Sequence, residues 1–170
     1  GKKRRLGFFA SLKLDEKAVK KHEKTLAGPK KDRLRLLKEV RMNTSPIFGL
    51  FEGSEAMHAL LRKSAAGRPV VDVTLEGVRH RVYVERDPGV AQALCRGLRT
   101  KPMYIADGHH RFEVACQFHR WAKQKKSAGD NAFVMAYLAD CRRNPLTIFP
   151  THRLLRLGQG VRVLDRLSAR

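Results

Sequence analysis

The residues best suited to chemistry lie together in residues 104–113, which read Tyr-Ile-Ala-Asp-Gly-His-His-Arg-Phe-Glu. A short apolar run stops at Asp107, Gly108 permits a tight turn, and a helical pattern begins at once. The first amides of a helix have no intrahelical acceptor, and the helix dipole favours an anion beside them. This strand, turn and helix therefore predict a phosphate-binding turn.

The side chains of this turn extend the same interpretation. Arg111 and the imidazoles of His109 and His110 supply donors for phosphate oxygens. Asp107 supplies a carboxylate suited to holding Mg²⁺ between phosphates or to accepting the proton of a hydroxyl group. In the alternative interpretation, Asp107 is only the helix N-cap and both histidines lie on the surface. Because the motif is short and lacks the Walker pattern, the residues alone leave both interpretations open. Zinc is not predicted, since two adjacent helical histidines do not readily bind one metal ion.

Two further polar clusters, residues 22–25 and 151–153, suit an anionic ligand if the fold brings them to this turn. A glutamate in the first cluster would serve there as a general base or a metal ligand. Taken alone, each cluster is a solvated run of polar residues. The side chains concerned are His22, Glu23, Thr25, Thr151, His152 and Arg153.

Mixed strands and helices are expected to position these residues. Alternating or continuous apolar runs predict strands at residues 6–12, 46–51, 70–75, 78–84, 103–106 and 132–138. Helical spacing predicts helices at residues 30–41, 54–64, 88–98 and 109–125, with Ser54 as an N-cap. Glu76-Gly77 indicates a hairpin turn, and residues 123–130 read as an exposed loop. The fold class is therefore α+β or α/β.

Length and composition limit the class of protein. The chain has 170 residues, of which 42% are hydrophobic, which is enough to form the core of one domain. Neither a membrane span nor a signal peptide is predicted, because no apolar run is long enough and the start is basic. The cysteines, Cys95, Cys116 and Cys141, include no Cys-x-x-Cys pair, which favours a reducing compartment. We therefore expect a cytoplasmic protein.

The charge balance is strongly basic, with 36 Lys and Arg against 16 Asp and Glu, a formal net charge of +20. Such a field attracts nucleic acid and also concentrates small phosphorylated ligands in a cleft. The sequence carries no basic heptad, no Cys/His finger and no aromatic-basic RNA-binding signature. The charge is therefore compatible with a nucleic-acid partner but does not predict one.

Five motifs in this order resemble a large bacterial and archaeal family of uncharacterised proteins. That family is similar to the ADP-dependent free-serine kinases and to the siderophore-pathway serine kinase, which share the ParB/sulfiredoxin-like fold. The motifs cover roughly residues 6–155. They are His22-Glu-Lys-Thr, Gly28-Pro-Lys-Lys-Asp-Arg-Leu, Ser45-Pro-Ile-Phe-Gly-Leu-Phe, Tyr104-Ile-Ala-Asp-Gly-His-His-Arg and Pro150-Thr-His-Arg.

The resemblance implies a fold and a reaction. The fold would be α+β, with a ParB/sulfiredoxin-like mixed-sheet core and residues 52–100 as an inserted helix–hairpin–helix segment. Residues 1–170 would form one domain of a longer architecture. The reaction would phosphorylate free L-serine to O-phosphoserine, with ADP or ATP as the donor and Mg²⁺ as the cofactor.

The resemblance also implies a role for individual residues. In the related kinases the turn binds the nucleotide phosphates, a role that transfers to Gly108, His109 and Arg111, with His110 beside them. Asp107 would bind Mg²⁺ or orient the acceptor. Glu23 would be the base toward the serine hydroxyl, a role assigned from the order of the segments alone.

Two other interpretations remain open at this stage. In the first, the chain is a nucleotide-responsive, ParB-like DNA-binding or regulatory protein. The net charge of +20 favours this class, whereas the pair Glu23 and Asp107 and the lack of a helix-turn-helix signature speak against it. In the second, the chain is a piece of a longer protein and is inactive alone.

Overall fold

The computed structural model describes residues 4–23, 25–127, 129, 131–143 and 146. The described chain forms seven strands and four helices, labelled in chain order. The strands are β1 (Gly7–Lys13), β2 (Val19–Lys20), β3 (Ile47–Phe51), β4 (Val71–Leu75), β5 (Val78–Val82), β6 (Met103–Asp107) and β7 (Phe133–Asp140). The helices are α1 (Ala27–Val40), α2 (Glu55–Ser64), α3 (Pro88–Leu98) and α4 (His109–Gln124).

Five strands form one mixed sheet in the order β1-β7-β3-β6-β2. The pairs β3–β7 and β2–β6 are parallel, and β1–β7 and β3–β6 are antiparallel. The expectation of an α+β fold with a mixed sheet is thus confirmed. Strand β2 was not predicted, because its two residues, Val19–Lys20, lie in a highly charged stretch with no alternating pattern.

One face of this sheet forms the core. The register places Ile47, Gly49 and Phe51 of β3 beside alternate residues of β7, so their side chains share a face. Helix α4 contributes Phe112, which is fully buried, and Ala115 to the same core. These apolar contacts hold the start of α4 against the sheet.

The predicted helix–hairpin–helix order of residues 52–100 is confirmed as α2, the β4–β5 hairpin and α3, between β3 and β6. Ser54 caps α2 as predicted, since its side chain accepts a hydrogen bond from the Met57 amide. Both helices contribute to the sheet core through buried side chains, whereas every residue of the two hairpin strands is exposed. Those buried side chains are Met57, Leu61, Val90 and Leu94.

The topology brings three distant segments to one edge of the sheet. Strands β2 and β6 run parallel, so residues 21–23 and 108–111 leave the sheet at the same edge. Strand β3 runs antiparallel to β6, so residues 45–46 enter the sheet at that edge. The turn predicted to bind phosphate therefore lies between the other two segments.

Among the helices of the described residues, none has the length and apolarity needed to cross a membrane.

We expect Phe112→Ala to lower the free energy of unfolding by about 3–5 kcal/mol, because it leaves a cavity beneath α4. Phe9→Ala is the matched control, since Phe9 is 58% exposed and its loss should cost below about 1 kcal/mol. Urea denaturation of both variants measures the difference. Equal losses in the two variants would show that α4 is not anchored by Phe112.

Candidate functional site

The predicted phosphate-binding turn has the expected backbone. Gly108 occupies the N-cap position of α4 with φ 92° and ψ 27°, a left-handed conformation that favours glycine. The first helical hydrogen bond runs from the Phe112 amide to the Gly108 carbonyl, at 3.0 Å. The amides of His109, His110 and Arg111 precede that bond and therefore have no intrahelical acceptor. They lie where the positive end of the helix dipole favours an anion.

Arg111 folds back over this turn. Its guanidinium donates to the Asp107 carboxylate, the Pro46 carbonyl and, at 3.1 Å, the Ser45 hydroxyl. A Cβ on Gly108 would lie 3.0 Å from Arg111 Nε, so glycine also provides the space for this arrangement. The Asp107 side chain is 72% exposed, and such a solvated ion pair contributes little to stability. Asp107 is therefore the solvent-facing partner of Arg111, whose own side chain is 27% exposed.

The alternative interpretation of Asp107 and His109 does not hold. Helix α4 has no side-chain N-cap, because Asp107 pairs with Arg111 instead. His109 is 98% buried rather than on the surface, with a relative exposure of 2%. The motif therefore contains a buried imidazole at the start of the helix.

The His109 ring meets the first polar cluster of the sequence. Its Nδ1 atom lies 3.2 Å from Oε2 of Glu23, and its ring packs edge-on against His22 with centroids 4.4 Å apart. Burial lowers the pKa of His109, and His22 lowers it further, whereas Glu23 and Asp107 oppose this shift. The Nε2 atom is buried without a hydrogen-bond partner among the described residues.

Sequence reasoning missed Glu113, the most connected carboxylate at the site. Oε1 of Glu113 accepts from Lys21 Nζ at 3.0 Å, and Oε2 accepts from Thr25 Oγ1 at 2.5 Å and Lys30 Nζ at 3.0 Å. Burial raises the pKa of Glu113, but these three donors outweigh it and lower the pKa to about 2. The available signal was spacing, because Glu113 lies one turn after His109 on the same helical face.

Hydrogen bonds to α4 hold both ends of the segment that carries Glu23. Lys21 and Thr25 bind Glu113, and the Leu26 amide donates to Nε2 of His110 at 3.1 Å. Glu23 lies between these contacts and is thereby held beside the helix start. The Glu113 and His110 side chains thus position a carboxylate that they do not touch.

The predicted site residues divide into three groups by position. Glu23, His22 and the turn from Asp107 to Arg111 lie together at one edge of the sheet. Thr25 lies at the same edge, but its hydroxyl donates to Glu113. Thr151, His152 and Arg153 lie outside the described residues.

The side chain to which the sequence assigned Mg²⁺, Asp107, is a single carboxylate that is ion-paired with Arg111. The described residues contain no cluster of three or more His, Cys, Asp or Glu side chains that would enclose a metal ion. Mg²⁺ beside a nucleotide commonly takes one or two carboxylates, phosphate oxygens and water, and needs no protein cage. The exposed Asp107 carboxylate fits that mode.

The fold and the site define an α+β protein in which a mixed sheet presents a polar, glycine-containing turn at the start of a helix. The chain belongs to the family described as protein of unknown function (DUF1015), which matches residues 1–169. No curated protein and no solved structure matches the chain.

We expect Glu113→Gln to lower the free energy of unfolding by about 1–3 kcal/mol at pH 7, because it removes two ion pairs. The folded pKa of about 2 lies below the ordinary glutamate value of 4.5, so the carboxylate stabilises the fold above pH 4.5. That contribution is lost as the pH falls toward 2.

Urea denaturation between pH 5 and about pH 2 measures this effect. The difference between wild type and Glu113→Gln should shrink as the pH falls. Glu39→Gln, at an exposed position of α1, is the control and should follow wild type. A difference independent of pH would contradict the role of the Glu113 charge.

Proposed function

We propose that this protein is a nucleotide-dependent small-molecule phosphotransferase that converts free L-serine to O-phosphoserine. One observation carries the proposal: the fold brings the Glu23 carboxylate to the helix start that carries the phosphate-type turn, at 3.2 Å from His109. The resemblance to free-serine kinases supports serine as the acceptor and a ParB/sulfiredoxin-like core as the fold. The three cysteines are unpaired, which supports a reducing, cytoplasmic setting.

The proposed reaction is an in-line transfer of the terminal phosphoryl group of ADP or ATP. The serine hydroxyl oxygen forms a bond to the terminal phosphorus as the bond from that phosphorus to the bridging oxygen breaks. The hydroxyl proton passes to Glu23. The leaving group is AMP when ADP is the donor and ADP when ATP is the donor.

The turn supplies the electrostatic part of such a transfer. The free amides of His109, His110 and Arg111 and the Arg111 guanidinium would bind the phosphate oxygens. Asp107 would hold Mg²⁺, which neutralises phosphate charge when bound. Phosphoryl transfer depends mainly on positioning and charge neutralisation, so this set of groups is chemically sufficient.

The contacts of His109 suit Glu23 to the role of base. The buried His109 ring places its Nδ1 atom 3.2 Å from Oε2 of Glu23, so the carboxylate lies directly beside the helix start. The Glu23 side chain is 57% exposed, so a small hydroxyl compound can reach it from solvent. The base is therefore held in place and remains accessible.

The first test is nucleotide binding, measured as a thermal shift with ADP, ATP, CTP and GTP, each with and without Mg²⁺. A ligand that binds only the folded state raises the melting temperature. We expect a nucleotide-specific shift in wild type that Arg111→Ala loses. Arg68→Ala, an exposed arginine of the segment between α2 and β4, is the matched control and should keep the shift.

The second test is turnover of L-serine with ADP or ATP. Glu23→Gln, Asp107→Asn and Arg111→Ala should each reduce kcat by at least about 100-fold, with an unchanged circular dichroism spectrum. Glu39→Gln should retain full activity. Phosphoserine formation that persists in all three variants would falsify the assignment of this site.

The net charge of +20 favours a second candidate, a nucleotide-responsive protein that binds DNA. Retention on random duplex DNA at about 0.15 M salt would support it, because weak non-specific binding is largely lost there. Binding only at low salt would leave the charge as a property of a solvated surface.

A further inference from the structure

A cleft lies beside the turn, on the side away from Glu23. Helix α1, helix α4 and residues 42–45 surround it, and its volume is about 120 Å³. Since β6 lies between β2 and β3 in the sheet, the turn separates Glu23, which follows β2, from Ser45, which precedes β3. Arg111 lines the cleft and also covers the turn, so the cleft and the turn are continuous.

The walls of the cleft are apolar and accessible. They are formed by Leu36, Leu37, Met42, Val114 and Ala115. Leu36 is 49% exposed and Met42 is 66% exposed, which is high for large apolar side chains in a folded domain. Covering these two side chains with a flat apolar group would remove them from water.

The polar groups of the cleft favour an anion. Arg33 and Arg111 both line it, and none of its described lining residues is acidic. The side chains of Arg33 and Asn43 make no hydrogen bond or ion pair with another described residue. A ligand of matching chemistry therefore combines a flat apolar body with negative charge, as a nucleoside phosphate does.

Building on the proposed function, we propose that this cleft binds the base and ribose of a purine nucleotide whose phosphates pass Arg111 to the start of α4. The base lies between Leu36 and Met42. The donor nucleotide and the acceptor then approach the turn from opposite sides, as in-line transfer requires.

Asn43 is the uncharged carboxamide that lines the cleft and could meet the pairing edge of the base. Its carboxamide offers one acceptor and two donors, which match the adjacent amino donor and ring-nitrogen acceptor of adenine. Guanine also presents an adjacent donor and acceptor, N1–H and O6, so the carboxamide accepts either purine. A carboxylate at this position would instead favour guanine, whose N1–H and N2–H are adjacent donors.

The experiment compares ADP with inorganic pyrophosphate by isothermal titration calorimetry in wild type, Leu36→Asp and Val40→Asp. Val40 lies on the same helix and is 45% exposed, but it does not line the cleft. Both substitutions add one negative charge, so they differ only in whether the charge lies in the cleft. We expect Leu36→Asp to weaken ADP binding by about tenfold or more and leave pyrophosphate within about twofold. Val40→Asp should leave both ligands within about twofold.

A third variant tests the role of Asn43. Asn43→Asp should weaken ADP and strengthen GDP, because a carboxylate accepts two hydrogen bonds where the carboxamide accepts and donates. An unchanged ratio of the two dissociation constants would overturn this role.

The remaining outcomes distinguish base binding in the cleft from phosphate binding at the turn. The cleft does not bind the base if wild type binds ADP no more tightly than pyrophosphate, or if Leu36→Asp weakens the binding of both ligands equally. Either result would still support phosphate binding at the turn. If wild type binds neither ligand, the proposed function and the cleft proposal both fail. Circular dichroism confirms that each variant is folded.

Discussion

The geometry of the site depends on one carboxylate, that of Glu113. Its two oxygens accept from Lys21, Thr25 and Lys30, so a single residue of α4 holds both the segment after β2 and the first turn of α1. Together with the Leu26 amide, which donates to Nε2 of His110, these contacts restrain the segment after β2 beside the helix start. The position of Glu23 therefore follows from a neighbour that has no direct contact with it.

Acidic residues are scarce in this chain, and those of the site each face a positive or polar group. Glu113 faces two lysines, Asp107 faces Arg111, and Glu23 faces the His109 ring. Two of the three, Asp107 and Glu23, keep most of their surface exposed. In a chain of net charge +20, this arrangement leaves two exposed carboxylates beside the positive end of the α4 dipole.

Sequence patterns predicted most of the secondary structure because periodicity and turn chemistry act locally. The helix start at His109, the hairpin around Glu76-Gly77 and the Ser54 cap were all recognisable in this way. Strand β2 was not predicted, because it consists of two residues and forms only by pairing with β6. The burial of His109 was not predictable from the sequence either, since it depends on His22 packing against the His109 ring.

The sequence by itself determined the turn from β6 through Gly108 into α4, because a strand end, a glycine and a helix start are consecutive in the chain. It also determined the strongly basic charge and the mixed α+β class. Only the tertiary structure decided that Glu23 would meet this turn, that Glu113 would hold it there, and that a cleft would open beside Arg111. The physical reason is that these contacts join residues far apart in the chain, and strand order alone brings them to one edge.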